Sequence, residues 1–193
     1  AAIVVLCAVY LFFFPNVSRF KKENPKKTSL MEYRLGQWKK AGKKKSISQV
    51  WVPFSKISPY LVKAVIIAED DKFWTHEGFD YEAIGEAIEK NIKAGRFRAG
   101  GSTISQQLAK NLFLTPEKTV FRKLREAALT WRLERALTKR RILEIYLNVV
   151  EWGDGVFGIE AASRRYFGKS AIDLGPMDAA RLVSTLPSPI RFN

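Results

Sequence analysis

The spacing of apolar positions changes several times along the chain, and each change predicts an element. Residues 1–14, AAIVVLCAVYLFFF, are apolar apart from one tyrosine hydroxyl, the pattern of the end of a membrane-anchoring helix. A span needs roughly 20 such residues and the run opens on Ala1, so an upstream part is expected before it. Pro15 and Asn16 close the run. Residues 21–49 are polar and lysine-rich, interrupted by Pro25, Gly36 and Gly42. They predict a solvated tether with one short helix at 31–40. The run 49–54, QVWVPF, predicts an extended segment limited by Pro53.

From residue 58 the spacing becomes helical. Ser58 and Pro59 read as an N-cap and first-turn proline opening a helix through 60–74. Asp80 caps the next helix, 81–95, with Ile84, Ile88 and Ile92 expected on its inner side and Gly95 as its stop. RFRAGG, 96–101, has no apolar pattern and predicts a loop able to close over a ligand site. Ser102 is the expected N-cap of the following helix. There Ile104, Leu108 and Leu112 predict a buried stripe, and Thr103, Gln106, Gln107 and Lys110 a polar ledge on another side. The chain restarts at Thr115-Pro116, and apolar periodicity runs over 120–137 with a break at Thr138. Further helices are predicted at 139–150, at 156–167 with Gly168 as stop, and at 176–186 behind Gly175-Pro176. Strand signals are nearly absent. The pattern predicts a mainly α protein: anchor 1–15, basic juxtamembrane linker 16–50, and one helical domain over 51–193.

Charge changes this picture only at the N-terminal end. The chain carries 33 Lys/Arg against 19 Asp/Glu, net +14. Residues 1–50 hold 11 basic and 2 acidic side chains, so +9 of the excess lies there. A nucleic-acid binder would place that excess on the folded domain; this distribution favours anionic lipid headgroups. By the positive-inside tendency, Arg19, Lys21, Lys22, Lys26 and Lys27 would put the domain in the cytoplasm. The single cysteine, Cys7, excludes an internal disulfide framework and Cys-rich zinc sites.

Candidate chemistry gathers in two blocks. In the first, Glu69, Asp70, Phe73, His76 and Gly78 form EDxxFxxHxG. Glu69 follows Val62, Val65 and Ile66 at helical spacing, which places its carboxylate against an apolar face at a helix C-terminus. Desolvation and the helix dipole both disfavour its charge there, as suits a general base or acid. His76, the only histidine, is expected to hold the loop after Phe73 rather than to react, and without a second His or a Cys nearby it does not indicate a transition-metal site. The second block, 99–126, joins a glycine-led helix start to Lys110, Asn111, Lys118, Arg122, Lys123 and Glu126, a donor set suited to a phosphate-bearing ligand.

The succession EDDKFWTHEG, GGSTISQQLAKN, RKLRE and KRRILEIYLN closely resembles the signature blocks of the peptidoglycan glycosyltransferases, over about residues 51–190. That family comprises the monofunctional biosynthetic transglycosylases and the N-terminal domains of class A penicillin-binding proteins. With no transpeptidase segment following, a monofunctional member is expected. The resemblance implies a lysozyme-like helical domain with a larger head and a smaller, membrane-embedded jaw. It also implies a single transmembrane helix in the bacterial inner membrane and an extracytoplasmic (periplasmic) catalytic domain, which outweighs the positive-inside reading.

The activity implied is polymerisation of lipid II into glycan strands, with β-1,4 bonds, inversion at the anomeric carbon and undecaprenyl pyrophosphate as leaving group. Glu69 matches the family's base. Glu126 matches its second acid, expected to organise the pyrophosphate-binding cations or a divalent ion (Mg or Mn), with a direct acid role as the alternative. Lys110, Lys118, Arg122 and Lys123 match the cations that face the pyrophosphate, and Ser102, Thr103, Gln106, Gln107 and Asn111 match positions lining the cleft. Asp70, Phe73, His76 and Gly78 are expected to support the site. No cofactor is required by this chemistry. Lipid II, the growing strand, membrane lipids and other cell-wall synthesis or division proteins are the expected partners. Asp178 stands where the family commonly has glutamate, and family domains usually continue beyond LPSP at 186–189. The competing classes are a lysozyme-like hydrolase, which would not need the lipid-phosphate cluster, and a non-catalytic membrane-bound cell-wall binding protein.

Overall fold

A computed structural model of the chain describes residues 15–95, 101–117 and 119–191, except the side chain of Asn91. The apolar run 1–14, positions 96–100 of the expected loop, and Lys118 lie outside the described residues. Among the described residues no helix is long and apolar enough to cross a membrane.

The protein is mainly helical. In chain order it has α1 (Ser29–Lys40), α2 (Pro59–Glu69), α3 (Tyr81–Ala94), α4 (Ile104–Phe113), α5 (Val120–Ala136), α6 (Lys139–Val149), α7 (Ile159–Phe167) and α8 (Pro176–Val183). Three short strands, β1 (Ser48–Gln49), β2 (Glu151–Gly153) and β3 (Val156–Phe157), form a small sheet in the order β1-β3-β2, parallel between β1 and β3 and antiparallel between β3 and β2. The first residues of the helix expected at 156–167 are therefore strand.

α4 is the centre of the fold. Its predicted stripe of Ile104, Leu108 and Leu112 is buried, together with Ala109, because α1, α5 and α6 pack around it. α2 packs on α8. Asn148 near the end of α6 ties the extended segment to that helix. Its Nδ2 donates to the Val52 carbonyl at 2.9 Å, and its Oδ1 accepts from the Val52 amide at 2.9 Å.

Several expectations need correction. Helix α2 ends at Glu69, not at residue 74, because Asp70 leaves helical geometry (φ −171°, ψ 77°) and its carboxylate bonds elsewhere. Ser58 makes no cap bond; its hydroxyl donates to the Leu174 carbonyl at 2.6 Å, anchoring α2 to the segment before α8. The inner face expected for α3 is not covered: Ile84 is half-buried, and Ile88 and Ile92 are 54% and 74% exposed.

The basic segment after residue 16 is not a free tether. Val17, Phe20, Thr28, Met31 and Trp38 are buried. Arg34 of α1 clasps the buried Glu151 carboxylate, with Nε and NH2 each 2.9 Å from Oε2. Burial raises the Glu151 carboxyl above its ordinary value, and Arg34 opposes that rise. Breaking such a pair leaves a buried charge alone, so Arg34→Ala should cost about 3 kcal/mol of stability at neutral pH. A carboxyl raised in the folded state loses stability as pH rises through its folded value. The deficit should therefore shrink as pH falls toward the ordinary glutamate range, which thermal melts across pH would show.

Candidate active site

The first block builds a rigid corner behind Glu69. Asp70 is buried, and its Oδ2 accepts from the Ile104 amide at 2.9 Å, satisfying the first turn of α4. Its two oxygens face His76 Nε2 at 2.9 and 3.0 Å. His76 Nδ1 accepts from the Gly78 amide at 2.9 Å and lies 3.3 Å from Lys139 Nζ. With donors on the Nδ1 side, the ring carries its hydrogen on Nε2 and donates to Asp70. Lys139 also sits 4.7 Å over the buried Phe73 ring and pairs with Glu134 at 2.8 Å. Gly78 has φ +96°, and a Cβ there would lie 3.0 Å from both Glu134 Cγ and Thr130 Cγ2, so only glycine fits. These contacts join Asp70, Phe73, His76 and Gly78 into one packed unit behind Glu69.

Glu69, the last residue of α2, is half-buried. Its Oε2 accepts from Gln107 Nε2 at 2.7 Å. Among the described residues, Oε1 has no hydrogen-bond partner. The Glu69 carboxylate lines a cavity of about 150 Å³ with Ile67, Asp80, Gly101 and Ser102.

The start of α4 differs from expectation in one residue. Thr103, not Ser102, is the N-cap, and it forms a capping box with Gln106: each side chain bonds the other's backbone amide. Thr103 and Gln106 are therefore buried structural groups; the Thr103 hydroxyl also donates to the Gly78 carbonyl at 2.7 Å, although Thr103 touches the edge of the Glu69 cavity. Ser102 is left for other work, and its hydroxyl lies 3.3 Å from Lys123 Nζ.

The cationic side of the site is organised by Glu126. This carboxylate on α5 is only 2% exposed. Oε2 accepts from Arg122 at 2.7 Å and Oε1 from Lys123 at 2.5 Å. Both of its oxygens are thus taken by cations of its own helix. Arg122 Nε is buried without a partner among the described residues, a donor that a ligand oxygen would satisfy.

Lys110 lies close by on α4 and makes no ion pair among the described residues. Its surface is exposed, yet it stands within the cleft. Partial desolvation lowers its pKa, and Glu126 opposes that change more than Glu69 does. Lys110, Arg122, Gln107 and Asn111 line a second cavity, about 360 Å³, together with Pro187 and Glu151. Gln107 thus borders the cation cavity while bonding Glu69.

The donor set does not suit a resident divalent ion. Among the described residues no cluster of three or more His, Cys, Asp or Glu is placed to hold one. The central acid, Glu126, is committed to two cations of its own. Chemically, the arrangement offers a carboxylate oxygen open to a hydroxyl proton on one side and, on the other, a cluster of cations in which Lys110 and Arg122 Nε have no partner among the described residues.

Sequence reasoning gave no place to Glu134 and Lys139, which pack against Gly78 and His76 behind the site. Lys139 opens the KRRILEIYLN block, which carried the signal without assigning it a role.

Comparison with known proteins agrees with this geometry. A family profile described as Transglycosylase matches residues 36–193. Among similar proteins, the biosynthetic peptidoglycan transglycosylase of Aromatoleum aromaticum is 52% identical over 191 residues, covering 98% of this chain and 83% of that protein. Its counterpart from Dechloromonas aromatica is 56% identical over 166 residues, 86% of this chain and 72% of that protein. The one from Azoarcus sp. is 50% identical over 192 residues, covering 100% of this chain and 83% of that protein. With four motif blocks, a carboxylate beside a cation cleft and relatives at this level of identity, the chain belongs to the transglycosylase family and is a peptidoglycan glycosyltransferase.

Proposed function

We propose that the enzyme polymerises lipid II, with Glu69 as general base and the Glu126-organised cations as the pyrophosphate site. The observation that carries this reading is the division of labour on either side of α4. Glu69 keeps one oxygen open, while Arg122 and Lys123 are fixed by a buried carboxylate with Lys110 standing beside them. In the reaction, Glu69 takes the proton of the acceptor's N-acetylglucosamine 4-hydroxyl. The oxygen attacks the donor's anomeric carbon as the C–O bond to pyrophosphate breaks. Attack opposite the leaving group inverts that centre and gives a β-1,4 bond, as in inverting sugar chemistry generally. Charge growing on the pyrophosphate meets Lys110, Arg122 and Lys123, with Ser102 and Asn111 as further polar contacts. Lys118 is assigned to the same cluster from the family motif alone. NMR of the product of α-linked lipid II tests this: β-linked glycan with release of one undecaprenyl pyrophosphate per bond is expected, and retained α-linkage would overturn it.

Work on peptidoglycan belongs to the cell envelope. We further propose that residues 1–15 anchor the chain once in the bacterial inner membrane, with the domain outside the cytoplasm. In this reading the lysozyme-like domain lowers a smaller jaw into the bilayer. The uncovered faces of α3 and α5 support this: Ile92 is 74% and Phe121 81% exposed, with Ile88, Val120 and Leu124 exposed as well. Apolar side chains left to water in this number mark a surface that another apolar phase covers. A photoactivatable lipid in vesicles should label peptides carrying Ile88 and Ile92 and those carrying Phe121 and Leu124. Labelling confined to residues 1–15 would exclude the jaw contact.

A further inference from the structure

Glu69 receives its hydrogen bond from an amide that is itself held from behind. Gln107 Nε2 donates to Glu69 Oε2 at 2.7 Å and approaches the Ser102 carbonyl at 3.5 Å. Both neighbours are acceptors, so only the NH2 end of the amide can face them. The carbonyl end must then point the other way. There it meets the hydroxyl of Tyr146 on α6 at 3.0 Å. Among the described residues this is the only hydrogen bond the Tyr146 hydroxyl makes, and the side chain is fully buried in the core.

From this geometry we propose that Tyr146 is a positioning residue for catalysis, locking the Gln107 amide so that its NH2 group stays on Glu69 Oε2 and Oε1 remains free for the acceptor hydroxyl. Tyr146 does not touch substrate; it acts through Gln107. A flipped amide would place its carbonyl against the Glu69 carboxylate, and the Tyr146 O–H in its present pose disfavours that flip by occupying the carbonyl end. Burial, and secondarily the negative charges of Glu69 and Asp70, push the Tyr146 hydroxyl well above the usual tyrosine range. It therefore stays protonated, and a donor, at neutral pH. Gln107, expected from the sequence as a substrate contact, becomes in this account the second member of a relay from the core to the base.

This inference rests on Glu69 being the base. Tyr146→Phe keeps the ring and its packing and removes only the donor. It should lower kcat about tenfold with the KM for lipid II nearly unchanged. The acid limb of the kcat/KM profile should move to higher pH, because a carboxylate that loses a fixed donor to its charged form holds its proton more tightly. The double variant Tyr146→Phe/Gln107→Met should be no slower than Gln107→Met alone, since both changes break one relay.

A merely structural tyrosine would lower the melting temperature and leave the acid limb in place. An unmoved limb or multiplicative rate losses in the double variant would overturn the proposal. Should Tyr146→Phe not fold, Gln107→Met reads the same relay from its other end, with the same limb shift expected and an unmoved limb contradicting it. Activity surviving in Glu69→Gln would instead overturn the base assignment, so the two failures are distinguishable.

Discussion

Glu69→Gln should abolish polymerisation while leaving the fold and substrate binding nearly intact. The amide keeps the size of the side chain at the end of α2 but has no oxygen able to take a proton, and general-base catalysis of this kind contributes about 100-fold to 10,000-fold. The supports behind it are unaffected, because Asp70, His76 and the amide of Ile104 hold one another without help from Glu69. A glutamine there can still bond Gln107, so the melting temperature should stay close to that of the parent protein. Binding of a non-reacting lipid II analogue should likewise be retained. Polymer formation at a tenth of the parent rate or more would move the base role to another residue.

Lys110→Ala should show the opposite division, weakening binding and turnover together. The lysine stands beside Arg122 and Lys123 but, unlike them, has no carboxylate of its own among the described residues. Its charge is available to the departing pyrophosphate, whose negative charge increases along the reaction. Losing one donor aimed at developing charge costs roughly 100-fold to 1,000-fold in kcat. KM should rise as well, because the ground-state pyrophosphate already carries charge. Stability should change little, since desolvation disfavours the lysine's charged form in the cleft. A kcat loss with KM unchanged would mean that Lys110 acts only in the transition state. A destabilised protein would mean that it supports the fold.

Most of the helical framework was legible in the sequence because the signals are local. Asp80, Thr138, Gly95 and Gly168 mark helix ends where the structure has them. The stripe of Ile104, Leu108 and Leu112 faces the core for the reason its spacing gives. Ser102 and Thr103 are both good capping residues, and the choice between them was readable too: Thr103 has Gln106 three positions later, as a capping box requires, whereas Ser102 has Ser105.

What escaped is non-local. Nothing near Arg34 announces that it neutralises Glu151, 117 positions away. Without that partner a lysine-rich segment reads as a tether. Ile84, Ile88 and Ile92 predict an apolar face, but periodicity does not say whether protein or another apolar phase covers it. For the site, the motif blocks named Glu69, Lys110, Arg122, Lys123 and Glu126. They did not separate Thr103 and Gln106, which hold the helix start, from Ser102 and Gln107, which contact Lys123 and Glu69.

The central claim is that this chain joins lipid II units through Glu69 and the cation cleft. Its most direct test is incubation of the full chain in detergent with labelled lipid II, followed by gel separation and muramidase digestion of the product. The account predicts a ladder or smear of polymer that muramidase degrades, formed by the parent protein and absent with Glu69→Gln. Release of reducing sugars from preformed cell wall with lipid II left unconsumed would contradict it and identify a hydrolase instead.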